Sequence, residues 1–96
     1  MGSFVCPLCR QSAEAEVHPM RHLAHVRCSV CTEFVIKDGA VNWLNDEALD
    51  AGRQYSMKAQ TAPAGLVLFI FQPPSADRGT RWIAANYLSL QEALHQ

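Results

Sequence analysis

Residues 4–11 read FVCPLCRQ and residues 27–34 read RCSVCTEF. These two stretches hold every cysteine of the chain, Cys6, Cys9, Cys28 and Cys31, as two Cys-x-x-Cys pairs with residues 10–27 between them. Each pair brings two sulfurs to one side of a tight turn, close enough to occupy adjacent corners of a tetrahedron. Two such turns face to face complete the closed four-coordinate site that Zn2+ prefers, and the spacing falls in the range expected of one. With thiolate at every corner, no place is left for water or substrate, so the pattern points to one structural Zn2+ and away from zinc catalysis.

The residues around the pairs read as short strands. Ser3–Val5 leads into the first pair, and 13–18 (AEAEVH) and 22–27 (HLAHVR) read as two more strands, the second running into Cys28. After Cys31 comes EFVIK, closed by the turn dipeptide Asp38-Gly39. From Ala40 the period changes. Val41, Leu44, Ala48, Ala51 and Tyr55 recur at three- and four-residue steps, the stripe of an amphipathic helix, with Asp46, Glu47 and Asp50 largely off it. Asp38 is a candidate N-cap, Gly52 is expected to end or split the helix, and Trp43 is expected to cover the metal-binding part.

The run LVLFIF (66–71), stopped by Pro73-Pro74, reads as a strand buried on both faces. Beyond the loop QPPSADRGT, the spacing of Ile83, Tyr87, Leu90 and Leu94 predicts a helix over 82–94. A competing signal is Ser89-Leu90-Gln91-Glu92, a capping box that would start a helix later and leave TRWIAANYL as a strand. The expected fold class is therefore α+β: short antiparallel strands with two Cys turns packed on a helix, then a buried strand and a C-terminal helix. The boundaries expected are 1–45 for the metal-binding part and 46–96 for an extension packed on it, one compact domain overall.

The stretch from Phe4 to about residue 45, with CPLC carrying a proline after its first cysteine, resembles a zinc ribbon, in which two knuckles sit at the ends of β-hairpins. The resemblance implies that Cys6, Cys9, Cys28 and Cys31 hold the metal, and it covers under half of the chain. Ribbons often have Gly after the second cysteine of each knuckle, because glycine adopts a positive φ without strain. Here Arg10 and Thr32 stand in those places, which also makes a rubredoxin-like iron centre less suited to the site than zinc.

Composition narrows the function. The chain has 96 residues, 49% of them hydrophobic, and a formal net charge of −1. That is enough for one small domain of the kind that commonly needs a metal or a partner to be stable. Four thiolates and one dication sum to −2, which takes the formal −1 to −3. MGSFVCPLC lacks the charged and apolar regions of a signal peptide, so a cytoplasmic location is expected, where such pairs bind metal more often than they form disulfides. Its longest apolar run is far below the ~20 residues that cross a bilayer, and no membrane association is expected.

No Ser-His-Asp arrangement, Gly-rich phosphate loop or pair of catalytic carboxylates can be argued, so the chain is read as a non-enzyme. His18, His22 and His25 are expected to be exposed or partly packed rather than ligands. Arg10, Arg21, Arg27 and Lys37, with Trp43 near in sequence, are the candidate partner-contact residues. Glu14, Glu16, Glu33 and Asp38 match those four positive charges, leaving no basic stripe for a phosphate backbone. The expected function is recognition of a protein partner, as a regulator or inhibitor of a larger nucleic-acid-processing machine of the kind phages and mobile elements carry. Residues 66–71 are also expected to offer an edge for a homodimer. The alternative is a nucleic-acid-binding zinc ribbon of transcription or translation, and behind it a redox protein with iron among the four cysteines.

Overall fold

The structure, a computed structural model, describes residues 4–46, 49–71 and 83–96. Strand β1 (Phe4–Val5) enters the first Cys turn and β2 (Ser12–His18) leaves it. A single 3-10 turn at Pro19–Arg21 reverses the chain into β3 (Leu23–Cys28), and the second Cys turn links β3 to β4 (Thr32–Lys37). Helices α1 (Asp38–Asp46) and α2 (Leu49–Gln60) follow, then β5 (Val67–Phe71), β6 (Ala84–Leu88) and the short α3 (Leu90–Leu94).

The six strands form one sheet in chain order, antiparallel except for the parallel pair β4–β5. A parallel neighbour cannot be reached by a hairpin, and α1 and α2 supply the crossover. Strand alternation then sorts the side chains. On one face Ala24, Val26, Phe34, Ile36, Leu68 and Ile70 meet Ala40 and Leu44 of α1 and Ala59 of α2, together with Cys6, Cys28 and Cys31. On the other face Leu23, Val35, Val67 and Phe69 pack with Ala93 of α3. The part that carries the cysteines and the part that follows residue 45 thus share a single sheet.

Strand β5 is buried on both faces, as its unbroken apolar run predicts: Val67, Leu68, Phe69 and Ile70 are all buried. Its neighbours differ from expectation. Phe34, Val35 and Ile36 pair with it on one side and β6 on the other, so both of its hydrogen-bonding edges are occupied within the chain. The free edge expected at residues 66–71 is not there.

The helix expected over 82–94 is corrected too. Residues 84–88 form the antiparallel partner of β5, Val67 facing Leu88 and Phe71 facing Ala84. The helix begins only after Ser89, whose Oγ accepts a hydrogen bond from the Glu92 N–H at 3.2 Å. The apolar spacing of 83–94 fits either structure, and the unsatisfied outer edge of β5 decides for the strand. Asp38 and Gly39 are not a separate turn but the first two residues of α1, with the Asp38 N–H donating to His22 O at 2.9 Å. Gly52 neither ends nor splits a helix but lies inside α2. Of the residues on the expected stripe, Leu44 is buried while Val41 and Tyr55 are partly so; the side chains of Ala48 and Ala51 lie outside the described residues. No helix among the described residues is long and apolar enough to cross a membrane.

Candidate metal centre

The β1–β2 and β3–β4 connections face each other and bring the four cysteines together. Cys6 Sγ lies 3.7 Å from Cys31 Sγ and Cys9 Sγ lies 3.4 Å from Cys28 Sγ. All four sulfurs fall within 4.8 Å of one another. Each short contact joins one turn to the other, so the two turns interlock. None of these distances approaches the ~2.05 Å of a disulfide, and the four cysteines are free. A tetrahedron with metal–sulfur bonds of about 2.3 Å has edges of about 3.8 Å, so the cluster needs only small adjustments to hold one ion. Cys6 and Cys31 are fully buried and Cys28 is 6% exposed, while Cys9 is partly open to solvent. The donor set and its spacing fit a single thiolate-bound metal, and zinc is compatible with it.

The two turns share one backbone design. The N–H groups of Leu8 and Cys9 hydrogen-bond to Cys6, and those of Val30 and Cys31 to Cys28. The residue after each pair has a positive φ, 64° at Arg10 and 69° at Thr32. Both positions carry side chains that strain there, most of all the β-branched Thr32. Each strained residue is held by a contact to a helix. Arg10 Nη2 donates at 2.7 Å to Leu44 O, a carbonyl in the last turn of α1, where a positive charge suits the helix dipole. Thr32 Oγ1 donates to Ala59 O of α2 at 3.2 Å.

Helix α2 forms the remaining wall. Ser56, itself buried, donates its hydroxyl to Cys31 Sγ at 3.0 Å, and Gln60 Nε2 donates to Ser56 Oγ at 3.1 Å. A methyl group in place of the Gly52 hydrogen would overlap the Leu8 carbonyl, so only glycine lets α2 lie this close to the first turn. Gly52, Ser56 and Gln60 recur every four residues and so share one face of α2. That spacing is the sequence signal for them, and it is a weak one because each residue reads locally as a breaker or a surface residue.

Burial sets the charge state of the metal-free cluster. Desolvation pushes the Cys6 thiol from an ordinary 9.0 up to about 11. It pushes the Cys31 thiol up further still, against the downward pull of the Ser56 hydroxyl. Cys28 is also desolvated, but the N–H groups of Cys31 and Val30, with the thiols of Cys9 and Cys6, outweigh that and lower it. Without a cation, Cys6 and Cys31 keep their protons at neutral pH, and an incoming metal has to displace them.

The other candidate residues lie elsewhere. Arg27 and Cys28 are consecutive on β3 and so point to opposite faces; Arg27 stands exposed between Glu14 and Glu33 in the strand register. Lys37 and Arg21 are at the far end of the β3–β4 hairpin, where Lys37 Nζ donates to Arg21 O and Gln96 O, each at 2.9 Å. Arg10 alone of the four lies in one of the Cys turns. Trp43 belongs to α1, and its side chain lies outside the described residues. Among the described residues no histidine joins the sulfurs. His22 is exposed and 3.7 Å from Asp38, and His18 is 3.7 Å from Glu16. His25 differs from expectation in being 5% exposed, because Glu33 Oε2 bonds its Nε2 at 2.6 Å and makes its burial tolerable. Against known proteins, the chain matches no family, no curated protein and no solved structure.

Proposed function

We propose that Cys6, Cys9, Cys28 and Cys31 hold one structural Zn2+ in a zinc ribbon, and that the protein is a non-enzymatic recognition module for a protein partner. In this reading it regulates or inhibits a larger nucleic-acid-processing machine. One observation carries the proposal: four sulfurs converge from two interlocked turns with three of them at 6% exposure or less. Such a donor set saturates a tetrahedral ion, so zinc serves there to hold the fold. Binding of this kind contributes on the order of 10 kcal/mol, comparable with the whole stability of a small domain.

A protein partner is favoured over a nucleic acid by the use already made of the basic side chains. Arg10 is engaged with the Leu44 carbonyl, and Arg27 stands between two glutamates. Bound zinc would add −2 to that half of the molecule. A phosphate backbone finds no basic stripe there. The test is capture of partners from host lysate by the tagged, zinc-loaded protein, with and without nuclease. A stoichiometric protein that survives nuclease supports the reading. Loss of all bound material on nuclease treatment would put nucleic acid in its place.

A further inference from the structure

We infer that Ser56 belongs to the metal centre, as the outer hydrogen-bond donor to the buried Cys31 sulfur, so that helix α2 sets the affinity of the site. The inference rests on the reading of the four cysteines as a metal centre.

A dication held by four thiolates leaves a charge of −2, and in a buried site every thiolate needs hydrogen-bond donors. Cys6 is served by the N–H groups of Leu8 and Cys9, and Cys28 by those of Val30 and Cys31. Cys9 is partly open to water. Cys31 is fully buried, and the Ser56 hydroxyl donates to its sulfur at 3.0 Å. Two of the sulfurs are thus satisfied by the turns themselves and a third is reached by solvent, while the fourth depends on a residue of a different element.

The direction of that hydrogen bond is fixed from behind. Gln60 Nε2 is an amide nitrogen and can only donate, and it donates to Ser56 Oγ at 3.1 Å. Its donation occupies a lone pair of the serine and leaves the hydroxyl proton free for the sulfur. The close approach of Gly52 to Leu8 and the Thr32–Ala59 hydrogen bond hold α2 at the required distance from both turns. A serine that merely filled its space would need neither the relay from Gln60 nor the glycine one turn earlier.

The test compares wild type, Ser56→Ala, Ser56→Thr and Gln60→Leu in chelator competition for Zn2+ and by absorption of the Co2+-loaded protein. Ser56→Ala is expected to bind Zn2+ about 10–100-fold more weakly, the usual consequence of removing an outer-shell partner. Its sulfur-to-Co2+ charge-transfer bands should move to lower energy, because a thiolate without its donor gives up charge more readily. Ser56→Thr keeps the hydroxyl and should restore both properties. Gln60→Leu, which leaves the serine in place but unanchored, should fall between. Wild-type affinity and unshifted bands in Ser56→Ala would overturn the inference while leaving the metal reading intact. A wild-type protein that takes up neither ion stoichiometrically would overturn both.

Discussion

The Cα of Gly52 rests against the Leu8 carbonyl, which puts the middle of α2 in direct contact with the backbone of the first Cys turn. Glycine inside a helix costs about 1 kcal/mol relative to alanine, so an exposed position would gain from Gly→Ala. Here the added methyl meets backbone, which cannot swing aside as a flexible side chain does. Gly52→Ala should therefore lower the stability of the zinc-loaded protein by about 1–3 kcal/mol, the range for overpacking. Denaturant unfolding in excess zinc measures it, and a variant more stable than wild type would show that the helix does not lie this close.

Thr32 has a φ of 69° and also donates to Ala59 O. Thr32→Ala and Thr32→Gly both remove that hydrogen bond, worth about 0.5–1.5 kcal/mol. Only glycine relieves the backbone, a gain of about 1–2 kcal/mol. Thr32→Gly should therefore be about 1 kcal/mol more stable than Thr32→Ala, the reverse of the ordinary order. Equal melting of the two variants would contradict the strained turn.

Metal uptake should depend steeply on pH. Burial holds Cys6 at about 11 and raises Cys31 as well, so both carry protons at neutral pH and must lose them to bind metal. Raised values favour the protonated thiol, so the sign is plain: affinity rises with pH across the neutral range and falls in acid. At least those two protons leave per metal, giving a rise of at least about 100-fold in affinity per pH unit. Chelator competition at pH 6, 7 and 8 reads the slope directly, and a slope of about one proton or fewer would contradict the buried thiols.

Ser89 starts α3 by accepting the Glu92 N–H, and Ala93 of that helix is buried against the sheet face carrying Val35 and Phe69. Ser89→Ala should cost about 0.5–2 kcal/mol, typical of a lost N-cap. Hydrogen exchange should show the loss first at α3, with the amides of β3 and β4 still protected. Uniform loss of protection would mean that α3 is not a separable cap.

Much of this molecule was legible from local pattern. The cysteine spacing, the β-prone stretches that become β2 and β3 and the unbroken run of β5 are all properties of neighbouring residues. What escaped depended on partners distant in sequence. Ile83, Tyr87, Leu90 and Leu94 suit a helix on their own, the capping box at Ser89–Glu92 speaks for a strand before it, and the open edge of β5 decides between the two readings for residues 84–88. Gly52 reads as a helix breaker until Leu8 is placed against it. His25 reads as a surface histidine until the hairpin register brings Glu33 to it. Ser56 carries no motif, and its role depends on which sulfur the second turn buries beside it.

The parallel pairing of β4 with β5 has a consequence for how the chain is made. All four cysteines precede β4, whereas β5 begins only at Val67, beyond both crossover helices. At translation rates of 5–20 residues per second, roughly 2–7 s separate the synthesis of residue 32 from that of residue 67. A similar lag separates their emergence from the ribosome, so the Cys turns can meet metal while Phe34 and Ile36 still lack the strand that pairs beside them. An apolar strand with an open edge is the part of a nascent chain most prone to pair with another. On the proposed zinc reading, prompt metallation would anchor that strand from the start, and metal scarcity should first appear as aggregation of newly made protein, before any loss of the folded pool.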